Sequence, residues 1–300
     1  MPILTRRRFL TLSAVGLALP ARAAQITQWH GTALGAEAAI YLSHPAADAI
    51  IARCVAEIDR LESVFSLYRA GSALSVLNAA GRLDLPPFEL LECLALCVRV
   101  HSATGGLFDP TIQPLWQLYA TSFAAGQAPT PDQIAALLPR VGLRRVAFDE
   151  QVVVMPAGMA LTLNGVAQGF IADKVAALLA AEGLTDILIN TGEFHALGGM
   201  PGAAGWPVKL VTGGEVVLQA RALATSSPLG TVFDAAGKVG HILNPATGLP
   251  AAPVWTSVSV SAASAAVADA MSTAACLMPD RAALLAALSG FSDARIEALV

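Results

Sequence analysis

Apolar residues recur with a helical period over 46 to 62, where Ile50, Ile51, Cys54, Val55, Ile58 and Leu61 share one face and Asp, Glu and Arg the other. Pro45 opens that segment in the position a first helical turn tolerates. A second apolar helix is predicted over 87 to 103, stopped by Gly105-Gly106. The following Leu107-Phe108-Asp109-Pro110 cannot continue it through the proline, so a loop is expected there. Thr130-Pro131-Asp132-Gln133 combines a capping hydroxyl, Pro at the first helical position and Gln at the third, which predicts a short helix to about Leu138. Beyond it the pattern turns to strands at 145 to 148, 152 to 155 and 161 to 163. A helix over 170 to 182 ends at Gly183, and 186 to 190 reads as a buried strand. Further strands are expected at 206 to 211 and 215 to 219, joined through Gly213-Gly214, and at 239 to 243 and 254 to 262. Ser264 caps a helix to about Leu277, and Asp280 caps another over 282 to 288. Strands and helices come in blocks without strict βαβ alternation and without a linker or repeat, which argues for one continuous α+β domain.

Composition changes this picture little. The 300 residues are 55% hydrophobic and 13% charged, enough for a sizeable core and too apolar for a disordered chain. A formal net charge of −4 gives no global pull toward nucleic acid, and no nucleic-acid partner is expected. The N-terminus reads as an address: Thr5-Arg6-Arg7-Arg8-Phe9-Leu10, an apolar run from Leu12 to Leu19, then Ala21-Arg22-Ala23 with small residues where a signal peptidase reads. The paired arginines resemble a twin-arginine export signal, so 1 to 23 is assigned to the signal, 24 to 300 to the functional domain, and the destination to the periplasm. Cleavage after Ala23 removes four arginines and takes the formal charge from −4 to −8. The apolar run is shorter than the roughly eighteen or more residues of a spanning helix, so no stable membrane span is expected after cleavage. Cys54, Cys93, Cys97 and Cys276 lack zinc-site spacing and read as small buried hydrophobes.

Three constellations offer chemistry. Asn164-Gly165-Val166-Ala167-Gln168-Gly169 precedes a predicted helix, where backbone amides and the positive end of the helix dipole suit an anionic ligand; loop glycines also serve turns. None of the glycine clusters matches GxGxxG or the Walker pattern, which disfavours Rossmann and P-loop enzymes. Asp269 and Thr273 lie one turn apart on an otherwise apolar helix; a carboxylate there needs either a hard cation such as Mg²⁺ or a hydrogen-bonded role near the helix start. His241, ahead of the turn Asn244-Pro245-Ala246-Thr247-Gly248, can act as a base or a phosphate donor, or be an ordinary histidine.

The order of these segments resembles the FAD:protein FMN transferases, the ApbE family, over about residues 28 to 279. The matching pieces are Gly31-Thr32, the stretch from Glu57 to Tyr68 with Ser72 to Asn78, Thr104-Gly105-Gly106-Leu107-Phe108-Asp109-Pro110-Thr111, Asn164 to Asp173, His241 to Pro250, and Ala268 to Thr273. The resemblance implies a single T-fold-like α+β domain with a mixed or antiparallel sheet packed by helices. It also implies Mg²⁺-dependent transfer of FMN from FAD to a Ser or Thr hydroxyl of an acceptor protein, releasing AMP. By position, the Ala167 carbonyl, Asp269 and Thr273 would hold the metal. His241 would be the catalytic-region histidine, as base or phosphate donor. Tyr68, Asn78, Asp109, Thr111, Gly165 and Gln168 would contact FAD; for Asp109 the alternative is stabilising the turn at Pro110.

The sequence departs from the family pattern in two places. Thr162-Leu163-Asn164-Gly165-Val166-Ala167-Gln168-Gly169 lacks the usual leading Asp and has Gln168 in place of Lys. Asn190-Thr191-Gly192-Glu193-Phe194 lacks one glycine. These variations are similar to the NosX-type branch of exported accessory proteins of nitrous oxide reduction, which implies an acceptor of NosR type, a membrane flavoprotein with a periplasmic FMN domain. Two alternatives stand beside it: an FAD pyrophosphatase, which shares every site residue and in which water replaces the acceptor hydroxyl, and an FAD-binding accessory or chaperone protein that has lost catalysis, which the missing Lys at 168 favours and the retained His241, Asp269 and Thr273 oppose.

Overall fold

The computed structural model describes residues 10–12, 26–210, 213–291 and 293–300. The remainder of the export signal read from the sequence lies outside the described residues; of it, only the backbone of Leu10–Leu12 is described, as strand β1. The chain then runs β2 (Thr27–Ala33), β3 (Ala36–Leu42), α1 (Ala47–Phe65), α2 (Ala73–Ala80), β4 (Arg82–Asp84), α3 (Phe88–Ala103), α4 (Gln113–Ala124) and α5 (Pro131–Leu137). It continues with β5 (Ala147–Phe148), β6 (Val152–Val154), α6 (Ala167–Ala181), β7 (Ile187–Asn190), β8 (Phe194–Leu197), β9 (Trp206–Leu210) and β10 (Glu215–Leu218). The last elements are β11 (Arg221–Ser226), β12 (Val258–Ala262), α7 (Ala265–Ala275), α8 (Arg281–Leu288) and β13 (Arg295–Leu299).

Seven strands form the central sheet in the order β13-β12-β11-β8-β7-β3-β2, flanked by the small sheets β1-β9-β10 and β4-β6-β5. Every described ladder is antiparallel. The α+β single-domain expectation is therefore met, with helices packed on antiparallel sheets. Strand alternation explains how both faces of the central sheet are covered. Ile187 and Ile189 of β7 point to the helix side, into the large core with α1, α3, α6 and α7. Leu188 between them points the other way, into a second core with Tyr41, Phe194, Trp206, Val208 and Leu218 under the β9–β10 sheet. β12 is buried at all five positions, and its two serines are hydrogen-bonded, Ser259 with Thr225 and Ser261 with Arg221. Among the described residues no helix is long and apolar enough to cross a membrane.

The boundaries of α1, α3, α5, α7 and α8 follow the sequence signals closely. Ser264 accepts Val267 N at the start of α7, Asp280 accepts Ala283 N at the start of α8, and Thr130 with Gln133 makes a two-way capping box at α5. Three expectations are corrected. The loop expected after Pro110 is a single 3₁₀ turn, Pro110–Ile112, after which Gln113 to Ala124 is helical, with Pro114 in a first turn that has no use for its missing N–H. The strand expected at 239 to 243 reduces to two isolated bridges, Val232 with Gly240 and Leu243 with Pro250. Residues 161 to 163 form no strand, since side chains and a turn, rather than a neighbouring strand, take up their backbone groups. All four cysteines are buried thiols. Burial pushes Cys54 up to about 11, and Cys276 is raised by the same cause.

Candidate functional site

Helix α6 begins at Ala167, three residues before the apolar pattern starts, so Gln168 and Gly169 belong to its first turn rather than to a preceding loop. The entry is built by a turn in which Val166 N and Ala167 N both donate to Leu163 O, at 3.0 and 2.8 Å. Helix α7 lies antiparallel against this turn. A Cβ on Gly169 would stand 2.3 Å from the Ala265 carbonyl oxygen, a backbone atom that cannot swing aside, so only glycine admits this approach. The same proximity lets Gly169 N donate to Asp269 Oδ2 at 3.2 Å. At the other end of the contact, Gly165 faces Thr273, whose Oγ1 would be 3.1 Å from an added Cβ. Asp269 and Thr273, one turn apart on α7, thus look onto the segment that contains Gly165, Ala167, Gln168 and Gly169. Asp269 is the fifth residue of α7 and does not cap it. Its oxygen takes a backbone amide across the helix pair.

The donor set suits a hard cation. Asp269 is 3% exposed and offers a carboxylate, Thr273 a hydroxyl, and Ala167 a backbone carbonyl, all oxygens of the kind Mg²⁺ takes. Among the described residues no cluster of three or more His, Cys, Asp or Glu is placed to hold a metal, so a cation here would rest on a single carboxylate plus neutral oxygens. Such a site leaves positions for substrate phosphate. On α3, the hydrogen-bonded Cys97 side chain holds Cys93 well above the ordinary thiol range, with burial and the charge of Asp269 adding to it.

Helix α7 is positioned by Asp173, one turn beyond Gly169 on α6. Its Oδ1 accepts His195 Nδ1 at 2.8 Å and Ala265 N at 2.7 Å; its Oδ2 accepts Ser264 Oγ at 2.6 Å and Ala266 N at 3.1 Å. A carboxylate at a helix N-terminus satisfies orphan amides and complements the dipole. Asp173 and His195 have no place in the sequence-level site, although Asp173 follows the glycine segment directly; the signal it lacks is a partner, which is about ninety residues away in Ser264 to Ala266.

The remaining predicted residues divide into a buttress and two outliers. Asn78 Nδ2 donates to Leu161 O at 2.8 Å and its Oδ1 accepts Leu161 N at 2.7 Å, while Thr162 N donates to Pro110 O at 2.8 Å. Asp109 Oδ1 accepts Thr111 N at 2.9 Å and Thr111 Oγ1 at 2.5 Å, its Oδ2 accepts Leu143 N at 3.0 Å, and Thr111 Oγ1 accepts Gly142 N at 2.7 Å. Asn78, Asp109 and Thr111 therefore brace the strap 161 to 164 that leads into Gly165. Tyr68 stands 73% exposed in the loop after α1.

His241 sits on the loop that follows β11. Its Nδ1 lies 3.0 Å from Thr231 O. A carbonyl only accepts, so Nδ1 carries the proton and the lone pair of the neutral ring is on Nε2. Gly230 N donates to Ser227 O at 3.0 Å, so a tight turn separates Thr231 from Ser226, the end of β11, and the two Cα atoms are within about 15 Å. Gly240 closes this loop: a Cβ there would fall 2.0 Å from the Pro228 carbonyl oxygen. Beside the same loop, a cavity of about 450 Å³ is lined by Tyr119, Phe123, Pro131, Ile134, Leu249 and Pro250 among others, with Val239 and Thr247 at the loop side. Its lining suits a planar apolar ring and not a phosphate.

The two departures from the pattern of the resembled family are in contact. Thr191 Oγ1 donates to Gln168 O at 2.8 Å, and the Gln168 amide lies over Gly192, 2.5 Å from where a Cβ would be.

The ApbE family model matches residues 27–299 of this chain. A FAD:protein FMN transferase of Treponema pallidum is 32% identical over 268 residues, which is 78% of this chain and 73% of that protein. One of Klebsiella pneumoniae is 30% identical over 227 residues, 71% of this chain and 70% of its own. The crystal structure of Pseudomonas stutzeri flavinyl transferase ApbE, in its apo form, superposes with a TM-score of 0.79 at 23% identity, covering 90% of this chain and 89% of the other.

Proposed function

The chain belongs to the ApbE family, and from that premise we propose that it transfers FMN from FAD to a Ser or Thr hydroxyl of an acceptor protein, releasing AMP. The observation that carries this reading is the α6–α7 junction, where Asp269 and Thr273 face the first turn of α6. Ala167 O, Asp269 and Thr273 would hold Mg²⁺ there. Bound at that place, Mg²⁺ would stabilise the charge that builds on the pyrophosphate oxygens and on departing AMP.

This chain's residues supply the rest. The acceptor oxygen forms a bond to the FMN-side phosphorus, and the bond from that phosphorus to the bridging oxygen breaks, so AMP leaves with the oxygen. The hydroxyl proton needs a base, and His241 accepts it at Nε2, the nitrogen that the Thr231 carbonyl leaves with the lone pair. The positive end of the α6 dipole would favour the negative phosphates, although Ala167 N and Gly169 N are themselves bonded to Leu163 O and Asp269 Oδ2. The apolar cavity beside the His241 loop fits an aromatic ring system.

The destination proposed is the periplasm by the twin-arginine route, on the strength of Arg6-Arg7-Arg8-Phe9-Leu10. A NosX-type role with an acceptor of NosR type rests on Asn164-Gly165-Val166-Ala167-Gln168-Gly169 and Gly192-Glu193-Phe194-His195-Ala196-Leu197-Gly198. The test is intact mass of a NosR-type flavin domain after incubation with the purified chain, FAD and Mg²⁺, with an EDTA control. The expected result is a metal-dependent gain of one FMN with AMP in step, abolished by Asp269→Ala. Release of FMN and AMP without change of the acceptor's mass would replace this reading by FAD hydrolysis.

A further inference from the structure

Thr273 can serve a cation only through a lone pair, and a hydroxyl that turns a lone pair outward must send its proton somewhere else. Where that proton goes can be followed through the side chains behind it. Thr273 Oγ1 lies 3.3 Å from Ser226 Oγ; Ser226 Oγ lies 2.7 Å from Ser272 Oγ; and Ser272 Oγ lies 3.0 Å from the backbone carbonyl oxygen of Asp269. Each of the three hydroxyls has one proton to give. The last partner in the row is a carbonyl, which only accepts.

That terminus sets the direction of the whole row. Ser272 gives its proton to Asp269 O, so toward Ser226 it can only accept. Ser226 accordingly donates to Ser272, and toward Thr273 it too can only accept. Thr273 then donates to Ser226, with its lone pairs directed away from β11. The back-bond from Ser272 to the carbonyl three residues earlier is a common local choice for a helical serine, and Ser272 is fully buried, so no water competes for it.

We propose that Ser226 is a positioning residue: the last residue of β11 fixes the hydroxyl rotor of Thr273 so that its oxygen presents a lone pair to a divalent cation held with Asp269. This rests on the metal reading given under Proposed function and deepens it, because it explains why α7 carries a serine directly before the threonine and why β11 ends on a hydroxyl. The neighbouring Thr225 faces the opposite way, toward Ser259 Oγ at 2.7 Å, so the two successive hydroxyls at the end of β11 have separate tasks.

The test is Mg²⁺ binding to the full chain by calorimetry, with no FAD present, for the wild type and for S226A, S226T, T273V and the double variant S226A/T273V. S226A should raise the Mg²⁺ dissociation constant about tenfold, the lower end of the effect of an outer-shell partner on a metal ligand. S226T keeps the hydroxyl and should restore binding to within about twofold of wild type. In the T273V background, S226A should change nothing further, because it acts only through the Thr273 hydroxyl. Ser272→Ala, which breaks the row one link later, should weaken Mg²⁺ in the same direction and serves if S226A fails to fold. Equal binding by wild type and S226A, or an undiminished effect of S226A beside T273V, would overturn the assignment alone. A wild-type chain that binds no Mg²⁺ would overturn the metal reading as well.

Discussion

Replacing Asp173 by Asn changes the volume of one side chain by almost nothing and removes its charge, which makes it a sharp probe of how α7 is held. Each carboxylate oxygen accepts two hydrogen bonds, Oδ1 from His195 Nδ1 and Ala265 N, and Oδ2 from Ser264 Oγ and Ala266 N. An amide puts an NH₂ group where one oxygen was, so two donors face a donor whichever way it turns. Hydrogen bonds to a charged group contribute about 1.5–3 kcal/mol each, and the negative charge at the start of a helix about 0.3–1 kcal/mol. Because Asp173 keeps 23% of its side chain exposed, water replaces part of the loss, and the low end applies: about 3 kcal/mol. For a chain of this size that is a fall in Tm of about 6–12 °C. Ser264→Ala, which removes a cap and one of the four bonds, should cost about 1 kcal/mol. Thermal unfolding followed by near-UV circular dichroism reads both. A Tm for Asp173→Asn within 2 °C of wild type would refute the reasoning, since it would mean that the helix N-terminus finds equal partners in water.

Four further outcomes are expected. Gly169→Ala should destabilise by about 1–3 kcal/mol in urea unfolding and weaken Mg²⁺ binding together, because the added methyl meets α7 backbone; normal binding would show that the helices part at no cost to the site. Gln168→Lys should lower the urea midpoint by an equivalent of about 1–3 kcal/mol, since it places an ammonium where the native side chain is 6% exposed; an unchanged midpoint would show that position 168 reaches water. Burial pushes Cys54 up to about 11, whereas an unfolded thiol ionises near about 8.5. The folded state therefore holds its advantage below about pH 8.5 and loses it as pH climbs toward 11. Urea midpoints should fall between pH 9 and 10.5 less steeply for Cys54→Ala than for wild type, and parallel slopes would contradict this. His241→Gln should abolish FMN transfer while leaving Mg²⁺ affinity within about twofold, as the proposed roles require, a proton acceptor in His241 and a cation held by other residues; retained transfer would remove His241 from the reaction.

What the sequence made legible was local. Caps at Thr130, Ser264 and Asp280 predicted helix starts to within a residue or two, because a cap is a bond between residues three apart. The hairpin of β2 and β3 was invisible for the same reason in reverse. Its two-residue turn is Leu34-Gly35, with φ of 48° and 76°. Leucine is a poor signal for a left-handed position, and what holds it there is Glu62, whose Oε1 accepts Leu34 N at 2.7 Å from across the helix layer. Alanine-rich β3 also lacks the β-branched residues that mark a strand, since its place between β2 and β7 decides its state. In the site, the helical spacing of Asp269 and Thr273 could be read directly, but Ser226 and Asp173 could not. Their partners at the start of and along α7 lie 46 to 93 residues away, and only the packing of β11 and α6 against α7 brings them together.

The junction of α6 with α7 joins residues a hundred positions apart: Gly169 meets Asp269. Closing so long a loop carries an entropic cost that must be met before any of its contacts form, which ranks this among the slow steps of folding. During synthesis α7 emerges after nearly nine-tenths of the chain, so a nascent chain lacks the proposed cation site until the last helices are out of the ribosome. Competence to bind would then report completion, and a chain interrupted before residue 265 would keep the glycine-rich half of the cradle with nothing to oppose it. For a protein proposed to cross a membrane already folded, that timing makes the finished site a natural mark of a chain ready to leave.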